Sequence, residues 1–94
     1  MKVWLSPEAE ADLQATLEFI RERNPAAALN LASRVFDTLE KLAAGGVEGP
    51  QQQLTTGESV RSWLIPPFRI YYQRRQDALL VFRIYHHARR PITR

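Results

Sequence analysis

The spacing of apolar residues changes once along this chain of 94 residues, near the pair Gly45-Gly46. Before that pair, apolar side chains recur at the spacing of an α-helix, about 3.6 residues. After residue 59 they alternate with polar ones, as in a β-strand. A chain this short makes one small domain, so both patterns must share one hydrophobic core. The sequence therefore predicts a single α+β domain over residues 1–94.

Two capping residues followed by proline mark where helices begin. Ser6-Pro7 and Asn24-Pro25 each place a good N-cap residue before a proline that fits the first helical position. We predict one helix over residues 7–23 and a second over 25–44, which the glycines at Gly45-Gly46 end. Because the link between them is so short, the two helices should form an antiparallel hairpin.

The remaining segments are typical of strands and turns. Residues 45–58 are rich in glycine and glutamine and predict a loop. The helical hairpin should cover one face of a mainly antiparallel sheet, in the order β-α-α-β-β-β. The strands are predicted at residues 2–5, 60–65, 68–74 and 78–85, with turns at Pro66-Pro67 and Gln76-Asp77.

Strict alternation predicts which strand residues face the helices. Trp4 and Trp63 should pack between the sheet and the helices, and exposure of either would mark a binding surface. The face turned away from the helices should be basic and aromatic, with Arg69, Tyr71 and Arg83. In the strand at 68–74, Phe68, Ile70 and Tyr72 share one face, and Arg69, Tyr71 and Gln73 share the other. In the strand at 78–85, Leu80, Phe82 and Ile84 share one face, and Leu79, Val81, Arg83 and Tyr85 share the other.

Charge is divided unevenly between the two halves of the chain. Residues 1–46 carry five basic and seven acidic side chains, a net of −2, whereas residues 47–94 carry eight arginines and three acids, a net of +5. Arginine suits bidentate contacts with carboxylates and phosphates. The strands are therefore predicted to bind an acidic protein or a nucleic acid, with a merely solvated basic face as the alternative.

His86 and His87 are the only histidines, and the chain has no cysteine. Successive strand residues point to opposite sides, so the two rings cannot easily share a metal, and we expect neither a metal nor a cofactor. One histidine beside Arg83, Arg89 and Arg90 could act as a general base, because nearby positive charge lowers its pKa. Alternatively, His86 simply ends the last strand and His87 lies on the surface. Nucleophile-elbow, Walker, Rossmann and HExxH patterns are absent.

The N-terminus lacks the pattern of a signal peptide, since its apolar run is short and turns acidic. No stretch approaches the roughly 20 apolar residues of a membrane span. We therefore expect a cytoplasmic protein without membrane contact.

Several short segments, in this order, resemble the RelE/ParE superfamily of bacterial type II toxins. They are "SPEAEADL", "NPAAA" between the helices, "VRSW", "FRIYYQ" and the closing "IYHHARRP", and together they span nearly the whole chain. The resemblance implies a RelE/ParE-like fold and a cognate antitoxin whose C-terminal segment wraps and neutralises the toxin. It also implies that operator DNA is contacted only through the antitoxin complex.

The superfamily divides by activity, and the resemblance favours the ParE-like branch, with the RelE-like branch as the alternative. "NPAAA" and "GESVRSWLIPPFRIYY" look ParE-like, which implies inhibition of DNA gyrase by binding rather than catalysis. A RelE-like toxin would instead cut mRNA on the ribosome, with Arg61, Arg69, Arg83 and His86 or His87 as catalytic candidates. The second half has no lysine and no closing tyrosine, unlike many RelE-like members. A third alternative is a non-toxic interaction module. The predicted partner-binding residues are Arg61, Arg69, Tyr71, Arg83, Arg89 and Arg90.

Overall fold

The computed structural model describes residues 2–53, 57–66 and 68–86, with the backbone alone at His86. Two helices pack on a mixed five-stranded sheet, which confirms the predicted α+β class. Among the described residues, neither helix is both long enough and apolar enough to cross a membrane. The elements are β1 (Lys2–Leu5), α1 (Pro7–Arg23), α2 (Pro25–Ala44), β2 (Gln51–Gln53), β3 (Ser59–Ile65), β4 (Phe68–Arg75) and β5 (Ala78–His86).

The helix ends are those that the capping pairs predict. Ser6 Oγ accepts a hydrogen bond from the Ala9 N–H at 3.0 Å and donates one to the Phe82 carbonyl at 2.7 Å. The same side chain therefore caps α1 and ties its start to β5. Asn24 Oδ1 accepts from the Ala27 N–H at 3.1 Å and caps α2, and Gly45 ends that helix in the left-handed conformation, with φ of 81°.

The strands lie in the order β1-β5-β4-β3-β2. β1 pairs with β5 in parallel, and the other neighbours are antiparallel. β2 was not predicted: it lies within residues 45–58, which the composition assigns to a loop. Its three exposed glutamines lack the apolar alternation of a half-buried strand, and pairing with β3, Gln51 opposite Arg61, is what makes them a strand.

One face of the sheet and the inner sides of both helices enclose the hydrophobic core. Helix residues such as Leu13, Val35 and Leu39 pack there against Ile70 and Tyr72 of β4. The predicted inward set of β4, Phe68, Ile70 and Tyr72, is therefore confirmed. We call the opposite surface of the sheet, turned away from the helices, the outer face.

A β-bulge interrupts the alternation of β5, and the predicted faces of that strand were wrong. Tyr71 lies opposite Arg83, but Tyr72 lies opposite Val81, so Phe82 is an extra residue in β5. Because of the extra residue, the side chains beyond it point to the opposite side of the sheet from the one that strict alternation predicts. Leu79, Val81 and Ile84, which strict alternation divides between two faces, are consequently all buried in the core.

Candidate interaction surface

Two large apolar side chains are exposed on the outer face. Val3 and Leu5 pack against the core, so Trp4 between them points to the outer face, where it is 56% exposed. The expectation that Trp4 packs under the helices was wrong, because β1 is an edge strand and only its alternate residues reach the core. Trp63 does pack against the core, as predicted. Leu64, its neighbour in β3, lies on the outer face and is 40% exposed.

Arg69 is a cation of the outer face that lies beside Leu64. It lies opposite Leu64 on β3 and opposite Tyr85 on β5, so it stands between an apolar and an aromatic side chain on the outer face. Its Nη1 donates to Ser62 Oγ at 3.1 Å. Among the residues that the structure describes, Arg69 has no carboxylate within ion-pair distance. Its charge is therefore not neutralised by the described part of the chain.

Tyr71 lies on the outer face, as predicted, but it is only 3% exposed. Its ring meets that of Tyr85 edge-on, with centroids 6.2 Å apart. A side chain this buried offers little contact area to a partner. Tyr71 therefore supports the position of Tyr85 and is not an open binding residue.

Arg83 is engaged within the chain. Its Nε donates to Asp12 Oδ2 at 2.8 Å and its Nη2 to Asp12 Oδ1 at 3.1 Å, a two-point contact between β5 and α1. Asp12 Oδ2 also accepts the Ile84 N–H at 3.0 Å. The hydrogen bond to Asp12 raises the pKa of Arg83 above its usual value. The guanidinium carbon lies 4.4 Å from the centre of the Tyr85 ring. Arg83, which was predicted to be available to a partner, is therefore held in place by contacts within the chain.

Arg61 points away from the outer face. It lies opposite the core residue Tyr72, so both side chains are on the helix-covered side. Its Nε is 3.1 Å from Glu48 Oε2 and its Nη1 donates to the Gly49 carbonyl at 2.8 Å. Arg74 donates to the same carboxylate at 2.6 Å, and this hydrogen bond lowers the pKa of Glu48. Together these contacts hold the segment between α2 and β2 against the sheet.

The predicted site residues are therefore only partly brought together. Arg69, Tyr71 and Arg83 share the outer face, whereas Arg61 does not. The side chains of His86 and His87, with Arg89 and Arg90, lie outside the described residues. The described part of the chain contains no group of three or more histidine and acidic residues that could hold a metal ion.

Sequence reasoning missed the exposed apolar residues and the role of Asp12. A signal for Trp4 was present, since it stands between two apolar residues on a short terminal strand, and alternation would send it to the side opposite them. No local signal marks Asp12, which is 71 residues from Arg83 in the chain. As it stands, the outer face combines Arg69, which has no carboxylate partner among the described residues, with exposed apolar contacts. This combination suits an acidic, partly apolar protein segment.

Comparisons with known proteins agree with the fold. A family model described as the ParE toxin of the type II toxin–antitoxin system parDE matches residues 3–91. A solved structure from a chromosomal ParDE toxin–antitoxin system of P. aeruginosa is similar, with a TM-score of 0.73 and 20% sequence identity over 92% of this chain and 95% of that one. No curated protein matches the chain. At this identity the structural likeness shows the fold alone.

Proposed function

Because the chain belongs to the ParE toxin family of type II toxin–antitoxin systems, we propose that it is held by a cognate antitoxin and inhibits DNA gyrase when released. The observation that carries this proposal is the family match over nearly the whole chain. The similar P. aeruginosa structure, from a ParDE toxin–antitoxin system, supports the pairing with an antitoxin. On this proposal, the protein acts by binding its target and not by turning over a substrate.

The geometry of the arginines favours binding over RNA cleavage. A ribonuclease needs an acid, a base and cations converging on one phosphate. Arg61 and Arg83 are on opposite faces of the sheet, and each is paired with a carboxylate of its own chain. Only Arg69, among the cationic candidates described, lacks such a partner. This division supports the ParE-like activity over the RelE-like alternative.

A supercoiling assay with purified components tests the proposed target. Adding the purified chain to DNA gyrase, ATP and relaxed plasmid should reduce supercoiling, and adding the antitoxin first should prevent the effect. Relaxation by a type I topoisomerase is the control and should be unchanged. Undisturbed supercoiling together with mRNA cleaved in a ribosome-dependent translation reaction would favour the ribonuclease. No effect in either reaction would favour a non-toxic interaction module.

We further propose that the antitoxin contacts the outer face of the sheet. Trp4 and Leu64 supply apolar area that is open to a partner, and Arg69 supplies a charge that the described chain leaves unpaired. A large aromatic residue and an arginine are the side chains that most often anchor protein interfaces. The partner segment should therefore carry at least one carboxylate next to apolar side chains.

Arg69→Glu is expected to weaken antitoxin binding by well over tenfold, which corresponds to about 1.4 kcal/mol or more. The substitution replaces attraction with repulsion within the proposed contact. Arg83→Glu is less informative because it would also break the Asp12 pair. Isothermal titration calorimetry with the purified antitoxin measures the change. Arg21→Glu is the matched control, because Arg21 is an exposed residue on α1 away from the sheet. Equal losses in both variants, or none, would contradict the proposed contact.

A further inference from the structure

The exposed side of α2 carries large apolar side chains that the core does not use. Leu29 is 75% exposed and Phe36 is 53% exposed. They are seven residues apart, so they lie on the same side of the helix, two turns from each other. Ala32 and Ser33 lie between them and are small. We call Leu29, Ala32, Ser33 and Phe36 the α2 stripe.

The α2 stripe is complementary to a second copy of itself. If two α2 helices cross antiparallel about a two-fold axis between Ala32 and Ser33, each Phe36 meets the Leu29 of the other copy. The helical rise of about 1.5 Å per residue places both side chains roughly 5 Å from the axis. The small residues at the crossing let the helices approach, while the large ones fill the space on either side. This is the pattern of an isologous contact.

Charges at the two ends of α2 complement each other under the same arrangement. Glu40 is exposed near the C-terminal end and, within the part of the chain that the structure describes, has no ion-pair partner. The N-terminal end of α2 has no acidic residue in its first turn to complement the helix dipole. Arg23 stands just before it, with its guanidinium carbon 4.0 Å from the centre of the Phe19 ring and no described carboxylate partner. The two-fold axis brings Glu40 of one copy to the first turn of α2 in the other, since Glu40 and Pro25 both lie about 11 Å from the axis along the helix. Arg23 ends α1 two residues before Pro25.

We propose that two copies of the chain associate through their α2 stripes, antiparallel, with Glu40 of each copy against the Arg23 end of the other. The contact uses one helix from each copy, less than the roughly 800 Å² per partner of a typical stable interface. We therefore expect a weak dimer. This inference concerns self-association and does not depend on the identity of the toxin's target.

Sedimentation velocity of the purified chain over a concentration series tests the proposal. The wild-type chain should pass from monomer to dimer as concentration rises, and Phe36→Glu should weaken the association at least tenfold. Gln52→Glu is the control, since it adds the same charge at an exposed residue of β2, and it should leave the association unchanged. Circular dichroism confirms that both variants remain folded. A wild-type chain that stays monomeric throughout, or equal effects of the two variants, would overturn the proposal.

A charge exchange tests the orientation of the two helices. Glu40→Arg and Arg23→Glu should each weaken the dimer, because each places like charges together, and the chain carrying both should regain most of the wild-type affinity. No recovery in the double variant would rule out the antiparallel arrangement. Antitoxin binding is measured in parallel: if Phe36→Glu weakens the antitoxin complex while self-association is unaffected, the α2 stripe belongs to the antitoxin and the dimer proposal is wrong.

Discussion

Gly49→Ala is expected to lower the free energy of unfolding by about 3 kcal/mol. A Cβ at this position would lie 1.7 Å from the Ser62 carbonyl oxygen and 2.8 Å from its carbon. Both atoms belong to the backbone of β3, so no side-chain rotation can relieve the overlap. The segment between α2 and β2, residues 45–50, which we call the linker, must itself move away from the sheet.

Moving the linker breaks the contacts that hold it. The Gly49 N–H donates to the hydroxyl of buried Tyr72 at 2.8 Å, and the Ser62 N–H donates to the Pro50 carbonyl at 3.1 Å. A buried polar group left without its partner costs about 1–3 kcal/mol. The Glu48 contacts with Arg61 and Arg74 would be disturbed as well. Steric overlap and lost hydrogen bonds therefore act in the same direction.

Gly46→Ala is the matched control, because a Cβ there meets no atom within 4 Å. Its effect on stability should stay within about 1 kcal/mol. Urea unfolding followed by circular dichroism measures the free energy of unfolding of both variants. In thermal unfolding, at about 4–8 °C per kcal/mol, the melting temperature of Gly49→Ala should fall by more than about 10 °C. If Gly49→Ala were as stable as Gly46→Ala, the close approach of linker and sheet would not exist in solution.

The second large effect is expected from Asp12→Ala, at about 2–3 kcal/mol of lost stability. The Asp12 carboxylate accepts from both the guanidinium of Arg83 and the backbone N–H of Ile84. The side chains of Asp12 and Arg83 are only 17% and 20% exposed, so solvent replaces these bonds poorly. Removing the carboxylate leaves a largely buried cation without its counter-ion and a strand N–H without its acceptor.

Glu18→Ala is the control for Asp12→Ala. Glu18 is exposed on the same helix, and its replacement should change stability by no more than about 0.5 kcal/mol. Thermal unfolding compares the two variants. An Asp12→Ala chain as stable as the Glu18→Ala chain would show that the Asp12 pair contributes nothing to the fold.

The Asp12 contact also affects how toxicity experiments are interpreted. Arg83→Ala removes the other half of the same pair, so a loss of toxicity in that variant can result from loss of structure. Arg69 has no such structural partner among the described residues beyond the Ser62 hydroxyl. A folded Arg69 variant therefore reports on binding more directly than an Arg83 variant does.

Local chemistry explains why the helices could be predicted from the sequence. Ser6, Asn24 and Gly45 act on the turn of helix next to them, and proline restricts its own backbone. The bounds of α1 and α2, the helical hairpin and the α+β class follow from such short-range rules. Family membership was likewise indicated by short segments in order along the chain.

The candidate site was predicted less well, because its composition depends on partners that are distant in the chain. A count of arginines cannot tell that Arg83 is paired with Asp12, or that Arg61 and Arg74 hold Glu48. Of the cations predicted for the outer face, Arg69 is the one that the described structure leaves without a carboxylate.

The amino-acid sequence by itself determined the helices, four of the five strand-forming segments and the charge of the second half, since each depends on neighbouring residues. Only the tertiary structure decided the bulge at Phe82, the pairing of β2 and which face each arginine occupies. A bulge changes the parity of every residue beyond it, and an ion pair forms wherever folding brings opposite charges together. Neither the bulge nor an ion pair can be predicted from the residues next to it in the sequence, and the binding surface depends on both.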